Sequence, residues 1–158
     1  VRTPLFCFGT DVLHCFLLLF YHFTLRRRSI DVMGKYSEDR VAFGQPIAEF
    51  GQIQKYVSDS YAKYMAGRSY LYNVSNSMEL DKPGNRLDTD GVKLFTTTMG
   101  KEVADSAIQV LGGYGYCGEY QVEQLWRDAK LLEIGGGTLE SHQKNMARDL
   151  RKGIPENK

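Results

Sequence analysis

The chain has 158 residues, a net charge of +1, a 42% share of hydrophobic residues and 3 cysteines. A near-neutral balance with one short basic cluster, Arg26-Arg-Arg28, excludes the concentrated basic face of a nucleic-acid binder. Cys7, Cys15 and Cys117 show no CxxC spacing, and His14, His22 and His142 do not cluster with carboxylates, so neither a disulfide framework nor a metal site is expected. One domain in a reducing compartment follows.

The chain starts at Val1 rather than Met, which suggests a fragment or a processed product. The most apolar stretch runs from Leu5 to Phe23 and is densest at Val12–Phe23. The dense part is shorter than the ~20 residues a membrane-spanning helix needs. Three readings stand: a buried core helix, a membrane anchor with Arg26 to Arg28 as its stop-transfer flank, or sequence foreign to the fold, such as a misread exon. Residues 1–28 are therefore set apart as an atypical segment.

From Ser29 to Glu38 the pattern is amphipathic, with Ile30, Met33 and Tyr36 opposite Asp31, Lys35 and Glu38. Gly44 and Pro46 break it, so Arg40–Ile47 reads as a loop with one exposed cation, Arg40, beside an apolar anchor, Phe43. A second helix is predicted over 48–78, with Phe50, Ile53, Val57, Tyr61, Tyr64, Arg68, Leu71 and Ser75 on its packing face. The tyrosines 56, 61, 64, 70 and 72 read as core and rim. The polar run 79–91, with its Pro83-Gly84 turn signal, reads as a connection.

The third helix is expected to start at Asp88 or Asp90 as N-cap, to bury Val92, Phe95, Met99, Val103, Ser106 and Val110, and to end at Gly112-Gly113. A fourth runs over 119–132 around Val122, Leu125, Trp126 and Ala129. Its Arg127-Asp128 reads as a helix-end salt bridge or a tie to a neighbour, ahead of a ligand contact. Thr138 caps the last helix, which carries Leu139, Gln143, Met146 and Leu150 on one face. Gly153 and Pro155 end it before a polar tail, 153–158. Five helical segments without alternating strand patterns predict an all-α antiparallel helix bundle.

Two glycine breaks carry the chemistry. Gly135-Gly-Gly-Thr138 sets backbone and a hydroxyl at a helix N-terminus, a place that favours an anion or a polarised carbonyl oxygen. Gln109-Val-Leu-Gly-Gly-Tyr-Gly-Tyr116 offers a second close-approach backbone, and Arg40 is a guanidinium suited to phosphate. Singly, a GGxG break is most often only a C-cap and turn.

Taken in order, Asp39-Arg40-Val-Ala-Phe-Gly-Gln-Pro-Ile, Ile53-Gln54, Ala107-Ile-Gln-Val-Leu-Gly-Gly-Tyr-Gly-Tyr116 and Arg127-Asp-Ala-Lys-Leu-Leu-Glu-Ile-Gly-Gly-Gly-Thr138 resemble the C-terminal helical domain of the acyl-CoA dehydrogenases over about Ser29–Leu150. The resemblance implies an FAD-dependent flavoprotein that desaturates an acyl-CoA thioester between its α and β carbons. It implies a homodimer or homotetramer in which this domain completes a neighbour's flavin site. Arg40 would reach the flavin pyrophosphate. Gln109, Val110, Leu111, Gly112 and Gly113 would contact the adenine-side half, and Thr138, Leu139 and Glu140 would touch the cofactor at the last helix. Gly136 and Gly137 would face the thioester carbonyl.

In many members the glutamate that removes the α-proton immediately precedes the Gly-Thr of the last motif. Here that position is Gly136, so no catalytic base is identified. The isovaleryl-CoA dehydrogenase branch carries the base on the first helix instead. That place falls near His14, and residues 1–28 hold Asp11 as their only carboxylate. Gly51 also stands where the family often has a flavin-contacting glutamine. The resemblance implies a mitochondrial matrix location in a eukaryote and a cytoplasmic one otherwise. The chain alone is expected to be inactive. The alternative is a non-enzymatic oligomerisation or interaction module, membrane-associated through residues 5–23.

Overall fold

The computed structural model describes Phe23 and residues 26–78 and 85–153. The chain forms an all-α antiparallel helix bundle, as its periodicity predicts. The first helix, α1, covers 26–39. It buries Ile30, Met33 and Tyr36 and exposes Asp31, Lys35 and Glu38. The membrane-anchor and core-helix readings of 5–23 lie outside the described residues except at Phe23, which is buried against Tyr64 with ring centroids 5.7 Å apart. No helix among the described residues is long and apolar enough to cross a membrane.

The loop after α1 is a minimal hairpin, where no strand was expected. Strand β1 (Val41–Ala42) pairs antiparallel with β2 (Gln45–Pro46), Val41 opposite Pro46. Four paired residues are too few to show a period of two. Phe43 and Gly44 make the turn with φ of 52° and 85°. Positive φ at both central positions is what a tight hairpin demands. Phe43 is 97% exposed, which corrects its reading as an anchor: its ring meets the Phe50 ring edge-on, at 6.2 Å, on the rim of the bundle.

Helix α2 (Gly51–Ser77) buries Ser60, Tyr64, Gly67, Leu71 and Val74. The predicted face shares only Tyr64 and Leu71 with this stripe. Tyr61 and Arg68 are exposed, and so is Tyr72, while Tyr56 and Tyr70 are half-buried. Two small residues, Ser60 and Gly67, belong to this stripe, Gly67 so close to Met99 that a Cβ would lie 2.5 Å from its terminal methyl, and a count of apolar residues does not register them.

Helix α3 (Asn85–Leu111) is the axis of the bundle, touching α2 and the two later helices, α5 (Val122–Ile134) and α6 (Leu139–Leu150). It starts ahead of both predicted caps. Asp90 lies inside the helix and is buried, because its carboxylate serves a partner on the last helix. Val92, Met99, Val103 and Val110 are buried as predicted, whereas Phe95 is 43% exposed and Ser106 is half-buried. Thr96 and Thr97 are fully buried and donate their hydroxyls to Val92 O (2.7 Å) and Lys93 O (2.8 Å), which satisfies them within the helix.

The core has two compartments along α3. One gathers Tyr64, Leu71, Val74, Val92, Met99 and Val103. The other gathers Met33, Tyr36, Ala107, Val110, Val122 and Leu125. Short α4 (Gly113–Tyr116) follows α3 without a spacer beyond Gly112. A Cβ at Gly115 would lie 2.6 Å from Ile108 O, so only glycine lets α4 fold back on α3.

Helix α5 (Val122–Ile134) buries Val122, Leu125, Ala129, Leu132 and Glu133. Its Arg127 pairs with Glu123 at 2.8 Å on the exposed face, a within-helix ion pair and not one with Asp128. Helix α6 (Leu139–Leu150) is capped by Thr138, whose hydroxyl accepts from Ser141 N–H at 3.3 Å. The bundle ties α6 to α3 through Arg86 and Asp149, which bond side by side. Pro155 lies outside the described residues.

Candidate functional site

An open groove of about 790 Å³ lies between the α1–α2 connection and the α3–α4 junction. That size suits a cofactor-scale ligand. One wall carries Arg40, Phe43, Ile47, Phe50 and Ile53, and the other carries Val110 to Tyr114, Cys117 and Glu119. Three tyrosines pack at one end: Tyr36 meets Tyr120 edge-on at 5.3 Å and Tyr114 at 6.2 Å, and Tyr114 meets Tyr120 at 5.9 Å. Aromatic edges set at these distances make a firm apolar surface.

Arg40 supplies the groove's cation. Its backbone is fixed at both ends, N–H to Tyr36 O at 2.9 Å and C=O from Ile47 N–H at 2.8 Å. Its side chain is exposed and has no ion pair among the described residues. A backbone held in place with an uncommitted guanidinium is suited to bidentate capture of phosphate. Across the groove Gly112 adopts φ 59°, ψ −130°, a conformation that side chains do not tolerate. A Cβ at Gly112 or Gly113 would meet nothing within 4 Å, so both backbones face open space.

The second glycine break forms a turn at the other end of α3. Gly136 and Gly137 have φ of 68° and 100°. Buried Lys93 of α3 donates its ammonium to Leu132 O and Gly135 O, both at 2.7 Å, closing the end of α5. His142 of α6 contacts Gly136 O at 3.3 Å through Nε2 and Asp90 Oδ1 at 2.7 Å through Nδ1. Asp90, beside the turn, and Gly112, just past the end of α3, are 22 residues apart along the helix axis. At 1.5 Å per residue the two glycine sites stand about 33 Å apart.

A family model described as "Acyl-CoA dehydrogenase, C-terminal domain" matches residues 18–151. The chain belongs to the acyl-CoA dehydrogenase family. It is 41% identical over 128 residues to the mitochondrial isovaleryl-CoA dehydrogenase of Oryza sativa, covering 81% of this chain and 31% of that protein. It is 37% identical over 124 residues to cyclohexane-1-carbonyl-CoA dehydrogenase of Geobacter metallireducens, covering 78% and 32%. Butyryl-CoA dehydrogenase of Megasphaera elsdenii superposes with a TM-score of 0.83 at 27% identity, over 90% of this chain and 37% of that one. The chain thus spans about a third of the length of the relatives it matches.

Of the residues the acyl-CoA dehydrogenase pattern marks for the cofactor, the structure gathers Arg40, Val110, Leu111, Gly112 and Gly113 on the groove. Val110 and Leu111 bury their side chains in the core. Gln109 is exposed and does not line the groove. Thr138, Leu139 and Glu140, with Gly136 and Gly137, lie at the distant turn. There Glu140's own backbone N–H and the Thr138 hydroxyl hold its carboxyl below the usual carboxylate range.

Sequence reading missed Tyr36, Tyr114, Gln52 and Cys117 as groove residues. Gln52 stands directly after Gly51, where the family's glutamine was sought, and that adjacency was the available signal. Cys117 is exposed with a free thiol. Among the described residues no cluster of three His, Cys, Asp or Glu side chains could hold a metal ion.

Proposed function

We propose that this chain is the C-terminal, FAD- and neighbour-contacting domain of a flavin-dependent acyl-CoA dehydrogenase, acting in α,β-desaturation of an acyl-CoA thioester. The observation that carries the reading is the pairing of two different sites on one stiff helix. One end offers a long apolar groove with a fixed cation, and the other a glycine turn at a helix N-terminus. A separation of about 33 Å along α3 suits a domain that serves two ligand sites in an assembly.

The groove fits the adenylate half of FAD. Arg40 would neutralise the pyrophosphate, and Gly112 and Gly113 let a ligand approach the backbone closely. When bound, FAD supplies the acceptor for the hydride that leaves the β carbon. At the turn, the N–H of Gly137 would bond the thioester carbonyl and stabilise negative charge developing on its oxygen, which acidifies the α-hydrogen. Gly136 offers no carboxylate, so the α-proton must go to a base outside this turn. Phe43, 97% exposed at a positive φ, and Tyr116, 84% exposed, are apolar groups suited to a second copy in a homodimer or homotetramer. A mitochondrial matrix location accompanies this reading in a eukaryote.

The absent glutamate favours a second reading, a bundle that oligomerises without catalysing. The native gene product, isolated from its source cells, separates the two. Under the enzyme reading it exceeds twice the mass of this chain, releases FAD on denaturation and reduces an artificial dye with an acyl-CoA. The bundle alone with added FAD does not. A native product without flavin and without turnover overturns the enzyme reading.

A further inference from the structure

We propose that Asp90 and His142 are positioning residues that strap the Gly135–Gly137 turn to α3 through a proton-dependent link, and so set the backbone that receives the substrate carbonyl. The role of that carbonyl rests on the function proposed above. The strap itself does not.

The imidazole of His142 makes two contacts. His142 Nδ1 lies 2.7 Å from Asp90 Oδ1, and Nε2 lies 3.3 Å from Gly136 O. A carboxylate and a peptide carbonyl are both acceptors. A neutral imidazole carries one N–H, so it can serve one of the two. Both contacts form together only when each ring nitrogen has its hydrogen: an imidazolium between an aspartate and a carbonyl, or the same two protons with one resting on Asp90. Loss of one proton leaves either the aspartate or Gly136 O facing a lone pair.

Burial makes this choice costly. The side chains of His142 and Asp90 are only 12% and 8% exposed. Asp90 Oδ2 is buried with no hydrogen-bond partner among the described residues, so the imidazole is the aspartate's compensation. Gly136 and Gly137 have no side chains to hold their positive-φ turn, and His142 presses on it: a Cβ at Gly137 would come 2.8 Å from Nε2. A further tie to the turn is Lys93, one helical turn along α3 from Asp90, through Gly135 O. The titratable and charged groups around the pair are Lys93, Asp88 and Arg86 on α3, Asp149 on α6 bonded to Arg86, Glu133 in the last turn of α5, and Tyr70 of α2, whose hydroxyl lies against Gly91. Arg86 and Glu133 have their own partners, so neither replaces Asp90. The pair is absent from the groove and from every contact that the flavin reading needs.

Nuclear magnetic resonance on the isotopically labelled chain tests the strap without cofactor or substrate. The ring nitrogens of His142 and the amides of Gly136, Gly137 and Thr138 are followed from pH 8.5 to 5. The amides should move with the same midpoint as the His142 ring, and their protection against hydrogen exchange, taken relative to the intrinsic base-catalysed rate at each pH, should fall at least several-fold on the deprotonated side. In His142→Gln the amide transition should vanish. Glycine amides that ignore the His142 titration, or that keep their transition in His142→Gln, overturn the proposal. The wild-type titration decides alone should a variant fail to fold. A strap confirmed in a protein with no acyl-CoA activity would leave this inference standing while the functional reading fell.

Discussion

Replacing Arg26 by methionine should stabilise the chain, although arginine is the residue α1 carries in its interior. Arg26 is 3% exposed, and its two terminal nitrogens have no hydrogen-bond partner among the described residues. Burial pushes its pKa down to about 9, still above neutrality, so the group is a buried cation at pH 7. That drop from the ordinary guanidinium value sets the penalty at no more than ~5 kcal/mol, at ~1.4 kcal/mol per pH unit. The Phe23 ring, 5.0 Å from the guanidinium carbon, returns ~1–2 kcal/mol as a cation–π contact. A void of roughly one water's size beside Gly100, Ala104 and Leu125 gives a methionine room to settle. The expected net gain for Arg26→Met is about 3 kcal/mol, or a rise in Tm of roughly 10 °C for a chain of this size. Urea and thermal unfolding at pH 7 measure it. A variant equal to or less stable than the parent would refute the reasoning, because it would mean that the cation is solvated or paired after all.

Four further substitutions test the same geometry. Gly115→Ala should destabilise by about 2–3 kcal/mol in urea melts, because the new Cβ strikes the Ile108 backbone; Gly113→Ala, facing open space, should change stability by less than about 1 kcal/mol. Lys93→Met strips the donors from Leu132 O and Gly135 O and should lower stability by about 2–4 kcal/mol, with faster amide exchange in the Gly135–Gly137 turn. Asp149 is held below its ordinary pKa by the hydrogen bond from Arg86, so its contribution is full above the unfolded carboxylate value and disappears as pH falls through the lower folded one. The urea midpoints of the parent and Asp149→Asn should therefore differ at pH 6 and converge in acid; a gap that widens on acidification would contradict this pairing.

How far the sequence carried the fold differs by element. The α1 face and the Thr138 cap were legible, because three-residue spacing and a cap residue are local signals. The α2 face was rotated, since Ser60 and Gly67 are buried for their smallness and an apolar count passes over them. The start of α3 was misplaced because Asp90 answers to His142, 52 residues away, and looks like a cap only locally. The hairpin at 41–46 was too short for any period to show.

The site divides the same way. Arg40 and Gly112-Gly113 were readable as a cation and a close-approach backbone, and the bundle brings them to one groove. Tyr36 and Gln52 join it only through the way α1 and α2 meet. The two glycine breaks look like neighbours in sequence, 22 residues from Gly113 to Gly135, yet stand at opposite ends of α3 because α5 runs back along it. No spacing rule shows that.

The measurement that bears most directly on the central claim is a titration of the labelled chain with FAD and, separately, with FMN, followed by amide and arginine side-chain shifts. Binding of FAD's adenylate half by the groove predicts that FAD moves Arg40, Gly112, Gly113 and Tyr114, that FMN moves them far less, and that Arg40→Ala weakens the FAD response several-fold. Equal responses to the two flavins, or FAD shifts that leave the groove untouched, would contradict the assignment of this domain to a flavin site.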